Sequence, residues 1–265
     1  MGFKAPVKFR YLSAMKKTLA ICILLLSSTF LKAQVVGGQH DKLFDMFLLE
    51  KYEDTYVKAF KMTEQEKYLK DPEPFLYVSM ACLKIANDPN LVEEYPDVFK
   101  DMIKYADKAT KIIRKLEAKD IETISIEDQE DFFNELKDYT LNEIYFIWVE
   151  NKYSKAASLY RKLMKIWPED ENILFLAGAG EVMSNNRQGE MKLDDCKKRF
   201  EEKYSDSSYE GYEESNNWFS KGLVNFTDWC VTNGKSDMAK EWIAIGYKYM
   251  PDDERIEAQY ETIIN

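Results

Sequence analysis

One stretch of this chain occurs twice, and that duplication limits the available folds more than any other feature. Residues 151–171, which open Asn151-Lys152-Tyr153-Ser154-Lys155-Ala156 and close Trp167-Pro168-Glu169-Asp170-Glu171, align without a gap with residues 234–254 at an offset of 83. Ala156 matches Ala239, Tyr160 matches Ile243 and Pro168 matches Pro251. A fainter third copy starts at Lys51-Tyr52-Glu53-Asp54 and ends near Asp71-Pro72. Self-similarity at a long period is the signature of stacked supersecondary units, each burying its apolar face against the next.

Within the copies the apolar period is helical. Tyr153, Ala156, Ala157, Tyr160, Leu163, Met164 and Trp167 recur at three- and four-residue steps, as do Tyr95, Val98, Phe99, Met102, Ile103, Ala106, Ala109, Ile113 and Leu116. Pro74, Pro96 and the pair Ser125/Asp128 read as helix starts. Only 10 Gly and 7 Pro are present among 265 residues, too few turn formers for a many-stranded β architecture. The predicted class is all-α, with helices paired through short polar turns.

These residues resemble the tetratricopeptide repeat, a helix pair of about 34 residues. In that family a small residue opens the second helix where the pair crosses, a large one fills the groove a turn later, and Pro follows the helix. Ala156 and Ala239, Tyr160 and Ile243, and Pro168 and Pro251 stand in those places. Leu174, Ala177 and Gly178 resemble the signature of a following first helix, and Gly234 the inter-helix glycine, which is Asn151 in the other copy. The resemblance implies antiparallel helix pairs stacked as an α-solenoid over residues 42–265, and a function of binding other proteins. The offset of 83 exceeds two such units, so an insertion is expected at about 184–215: a solvent-facing, highly charged helix between two loops.

The N-terminus reads as an address. Met15-Lys16-Lys17, the apolar run Thr18 to Leu31 and Leu31-Lys32-Ala33 form a signal peptide, with Met15 as the start, residues 1–14 as an upstream extension and cleavage after Ala33. Residues 34–41, with the single histidine His40, read as a linker. The expected location is periplasmic or otherwise exported, with no membrane insertion after cleavage. The whole chain has 37 basic and 47 acidic residues; loss of residues 1–33 would leave 31 against 47. Such an acidic chain repels phosphate backbones, so the expected partner is a basic or neutral protein or peptide, not nucleic acid.

No chemical centre stands out. With one histidine and no CxxC pair, His-based catalysis and zinc spacing are disfavoured. No catalytic, metal or cofactor-binding residue is assigned, and no cofactor is expected. Cys82 reads as a buried apolar residue, and Cys196 with Cys230 as one conceivable disulfide. Glu181, after Ala177-Gly178-Ala179-Gly180, is weighed as a catalytic carboxylate, but close helix packing at an exposed turn explains it better. The aromatic stripes around Tyr145 and Trp218 read mostly as core, with a minority on the binding face. The candidate partner surface is Tyr145, Trp148, Trp218, Trp229 and Glu181.

The leading expectation is therefore an exported protein–protein interaction scaffold, not an enzyme. Two alternatives stay open: a helical cell-wall or carbohydrate-active enzyme using carboxylates alone, and a structural subunit of an envelope secretion or motility complex. Oligomeric state is also open.

Overall fold

Eleven α-helices and three short 3-10 turns make up the described residues, with no strand among them. The computed structural model describes residues 40–204 and 213–264, which belong to one unit, Gly38–Asn265. The expected signal peptide, most of the expected linker and the second loop of the expected insertion lie outside the described residues. The fold is all-α. No described helix is long and apolar enough to cross a membrane.

We number the helices α1 Asp41–Leu48, α2 Tyr52–Thr63, α3 Pro72–Ala86, α4 Val98–Glu117, α5 Glu130–Val149, α6 Tyr153–Ile166, α7 Glu171–Met183, α8 Gln188–Tyr204, α9 Glu213–Thr232, α10 Ser236–Tyr249 and α11 Glu254–Ile264. Their ends follow from local chemistry. Asp71 caps α3 by accepting the Glu73 N–H at 3.1 Å, with Pro72 in the first turn. Asp170 caps α7 by accepting the Ile173 N–H at 3.1 Å.

A single C-terminal device recurs. Glu50, Asn151, Asn185 and Gly234 each take positive φ, 57°, 61°, 60° and 73°. At each, the next N–H reaches back five residues: Lys51 to the Met46 carbonyl (3.0 Å), Lys152 to Ile147 (3.2 Å), Asn186 to Glu181 (2.8 Å) and Lys235 to Cys230 (2.8 Å). This is the Schellman closure, which satisfies orphan carbonyls and reverses the chain within three or four residues. Asn tolerates the left-handed conformation, which is why Asn151 can stand where the other copy has Gly234. Asn185 places the same turn between α7 and α8, although no sequence match marks it.

Helices α3 and α7 lack a polar face, and the packing follows. All of α7 is buried, and all of α3 except Lys84 and Ala86. Helix α7 is enclosed by its sequence neighbours α6 and α8 and by α9. Phe175 of α7 meets Phe219, Phe226 and Trp242 at ring-centroid distances of 4.9, 5.8 and 4.8 Å. Asn172 donates to Ser215 and Asn216, both at 2.9 Å, so α7 and α9 start level and run parallel. The register of α5 with α9, described below, is also parallel, whereas the tight turns set consecutive helices antiparallel.

The expected solvent-facing helix of the insertion is α8, but it is not free of the core. Leu193, Cys196 and Phe200 form a buried stripe, and Gly189 lies against α7 so closely that a Cβ there would stand 2.5 Å from the Val182 nitrogen. His40, expected in a linker, instead closes the first turn of α1. Its carbonyl accepts the Leu43 and Phe44 N–H groups, and its Nε2 lies 2.6 Å from Asp71 Oδ2. This contact ties the N-terminal helix to the start of α3.

Candidate functional site

The seam between α5 and α9 brings polar and aromatic groups together at a partly open surface. On α5, Asp138 and Tyr145 are seven residues apart, about two helical turns. On α9, Trp218 and Asn225 have the same spacing. The Trp218 indole N–H donates to Asp138 Oδ1 at 3.2 Å, and the Asn225 amide donates to the Tyr145 hydroxyl at 2.9 Å. Both pairs are 80 residues apart, so the two helices run parallel and in register. The Tyr145 and Trp218 ring centroids are 5.6 Å apart, and Lys221 Nζ sits 4.2 Å from the Trp218 ring centre and 5.6 Å from that of Tyr145.

This arrangement fixes groups that are ordinarily loose. The Lys221 ammonium is held over two rings, and the Tyr145 hydroxyl accepts from Asn225, which leaves its own proton for an outside acceptor. Asp138 is exposed and can take a further donor; Tyr145, Lys221 and Asn225 are half-buried. Trp218 is 6% exposed and serves as the floor. The same register sets Trp229, half-buried on α9, level with Val149 on α5, which is exposed. The seam thus offers a cation, a hydroxyl and a carboxylate beside an apolar strip.

Three of the five residues expected at the surface are buried: Trp218 forms the floor of the seam, and Trp148 and Glu181 stand behind it. Trp148 is 1% exposed; it packs edge-on to Tyr153 and Tyr160, and a Cβ on Gly180 would meet its ring at 3.0 Å. It is core. Glu181, expected at an exposed turn, is buried in the last turn of α7, with Arg161 at 3.1 Å and Lys192 at 2.7 Å. The cause is that α7 is buried on every side, which takes its one late carboxylate inward with it.

Glu181 has company that sequence reasoning missed. Asp170 accepts from the Ser215 hydroxyl at 3.2 Å and lies 3.3 Å from Lys137 Nζ, and both members of this ion pair are buried. Burial holds the Asp170 carboxyl above the ordinary carboxylate range, while Lys137 pulls it back. Glu171 is wholly buried and pairs with Lys203. Each carboxylate of α7 therefore holds a basic side chain from another helix, α5, α6 or α8. None of the three lines the cleft around Tyr153 and Met183 or the one around Val231 and Ile263. Their positions beside an apolar run were the only signal in the sequence.

The three cysteines of the described residues are free and buried, so Cys196 and Cys230 are not bridged. The Cys196 thiol donates to the Glu171 carbonyl at 3.3 Å, and burial pushes its ionisation well up. Among the described residues, no three His, Cys, Asp or Glu side chains stand close enough to hold a metal ion. Comparison with models of known protein families finds none that matches this chain, and comparison with curated proteins finds no match.

Proposed function

We propose that this chain is an exported interaction scaffold, stacked as a tetratricopeptide-like α-solenoid, that grips a protein segment along the α5–α9 seam. The observation that carries the reading is the Tyr145–Trp218–Lys221–Asn225 cluster. Its side chains are held by one another, so little rotamer entropy remains to be lost when a partner docks. Aromatic residues such as Tyr and Trp are the usual anchors of protein interfaces.

Support for the solenoid comes from the shared Schellman turns at Asn151, Asn185 and Gly234, and from the parallel run of α5, α7 and α9. The proposed partner meets the α5–α9 seam and not a groove along α7, because α9 covers that helix. Export rests on residues 15–33, with cleavage after Ala33. The buried carboxylates of α7 each hold a cation across a helix contact, which suits packing better than proton transfer.

The test is partner capture from the native host by cross-linking the tagged chain, beside a Tyr145→Ala/Lys221→Glu variant. The reading expects one protein recovered reproducibly with the wild type and depleted at least about tenfold with the variant. Equal recovery by both would sink it, as would turnover of cell-wall or polysaccharide substrates by the purified chain.

A further inference from the structure

The acidic balance of the chain conceals a face of opposite sign. Helix α4 carries Lys100, Lys104, Lys108, Lys111 and Lys115, all exposed. At 3.6 residues per turn these five fall within about 80° of arc. Helix α6 carries Lys155, Lys162 and Lys165, also exposed and within about 80° of arc, and has no acidic residue at all. The two helices pack side by side. Arg114 of α4 fixes their contact by donating to the Lys165 and Ile166 carbonyls at the end of α6, at 3.0 and 2.5 Å.

Carboxylates near this face are few. Lys100 and Lys104 lie 3.6 and 3.7 Å from Asp97 and Asp101, and Lys108 stands over the Phe75 and Tyr105 rings. Asp101 is buried and accepts from the Tyr56 hydroxyl at 3.1 Å; Asp107, half-buried, lies on the α6-facing edge of the α4 lysine arc, about 20° from Lys100 and so between the two stripes, and Glu117 falls on the other side of α4. Among the described residues, no ion pair holds Lys111, Lys115, Lys162 or Lys165. Net charge averages over the surface, but screening confines its effect to about 10 Å, so a ligand at this face meets the lysines first.

From this we propose that the α4–α6 face is a docking surface for anionic lipid headgroups. Two observations choose that occupant over an acidic protein. The cations are ammonium groups, point charges suited to a diffuse array of phosphates, and not guanidinium forks. No large apolar side chain is exposed on either helix, whereas protein interfaces are depleted in lysine and anchored by aromatic residues. Polybasic surfaces of this kind hold to anionic bilayers by charge alone. The scaffold would then lie against a membrane through α4 and α6 and present the α5–α9 seam elsewhere.

Co-sedimentation of the full chain tests this, with vesicles of phosphatidylcholine alone and with about one-third phosphatidylglycerol. The comparison is a Lys111→Gln/Lys115→Gln/Lys162→Gln/Lys165→Gln variant, whose helical circular dichroism should match the wild type because all four side chains are exposed. Both proteins share the same N-terminal segment, so the difference between them reads the face. The expected result is a preference for the anionic vesicles that the variant loses by about tenfold or more at 0.1 M salt. An unchanged preference in the variant overturns the proposal. So does loss of binding to poly-glutamate with vesicle binding unaltered, which would assign the face to an acidic polypeptide. Failure of the partner capture above would leave this result untouched.

Discussion

Gly189→Ala would test how α7 and α8 are held together. Gly189 sits in the first turn of α8 and faces the backbone of α7. An added Cβ would stand 2.5 Å from the Val182 nitrogen and 2.6 Å from the Gly178 oxygen. Those two atoms are four residues apart in α7, where a helix forms its own N–H to carbonyl bond, so the methyl would press on a helical rung and not on a side chain that can swing away. Ordinary carbon contacts begin near 3.5 Å, which means a separation of about 1 Å. Helix α7 cannot supply it freely, since every one of its residues is buried. Overpacking of this kind costs about 1–3 kcal/mol, with backbone neighbours favouring the upper end. Against it stands the helix preference of Ala over Gly, at most about 1 kcal/mol. The net loss should be about 2 kcal/mol, read from urea unfolding or as a Tm lower by about 4–8 °C. A variant as stable as the wild type, or more so, would refute the close crossing.

Three further outcomes follow from the same packing. Lys137→Met strands the Asp170 carboxylate and should cost about 3–5 kcal/mol, with part recovered in the double variant carrying Asp170→Asn. A folded-state carboxyl raised by burial gives stability that is full below about pH 4 and lost as pH rises through the folded value. Without Lys137 that rise is larger, so the urea midpoint of Lys137→Met should fall relative to wild type as pH increases from about 4. At Gly234, where a Cβ would touch nothing and only the positive φ matters, Ala should cost about 1 kcal/mol. Glu50→Gly, relieving the same conformation, should raise Tm slightly. Burial pushes the Cys82 and Cys196 thiols up and that of Cys230 up to about 12. Iodoacetamide at pH 8 should therefore leave all three unmodified in the native protein, by mass spectrometry, and label all three in urea.

What the sequence conveyed, and what it withheld, divides along the range of the forces involved. The helices were legible because the apolar period of a segment such as Tyr153–Trp167 is set by residues within a turn or two of one another. The α7–α8 turn was hidden, since Asn185 and Gly189 perform in that pair what Gly234 and Ala239 perform in the visible copy, with different residues. Glu181 and Trp148 were misplaced for a related reason. Trp148 is covered by Tyr153 and Tyr160 of α6 and by Gly180 of α7, and Glu181 is held between Arg161 of α6 and Lys192 of α8; neither set of contacts shows in the spacing of the residues around them. Tyr145 and Trp218 could be named as surface candidates from their aromatic character, yet Lys221, Asn225 and Asp138 become part of the site only through a register of 80 between α5 and α9.

Charge shows the limit most clearly, because a sum over the chain has no position. The excess of acid suggested repulsion from phosphate backbones, which holds at distances where the whole molecule acts as one charge. Within a Debye length it does not hold, since packing segregates lysines on the outer arcs of α4 and α6. Helix period alone could align the five lysines of α4. Only the packing of α4 against α6, where Arg114 reaches the end of α6 across 51 residues of sequence, sets the second stripe beside the first. A face made in this way is a property of the stack, and a residue-by-residue reading assigns each of its lysines, one at a time, to ordinary solvated surface.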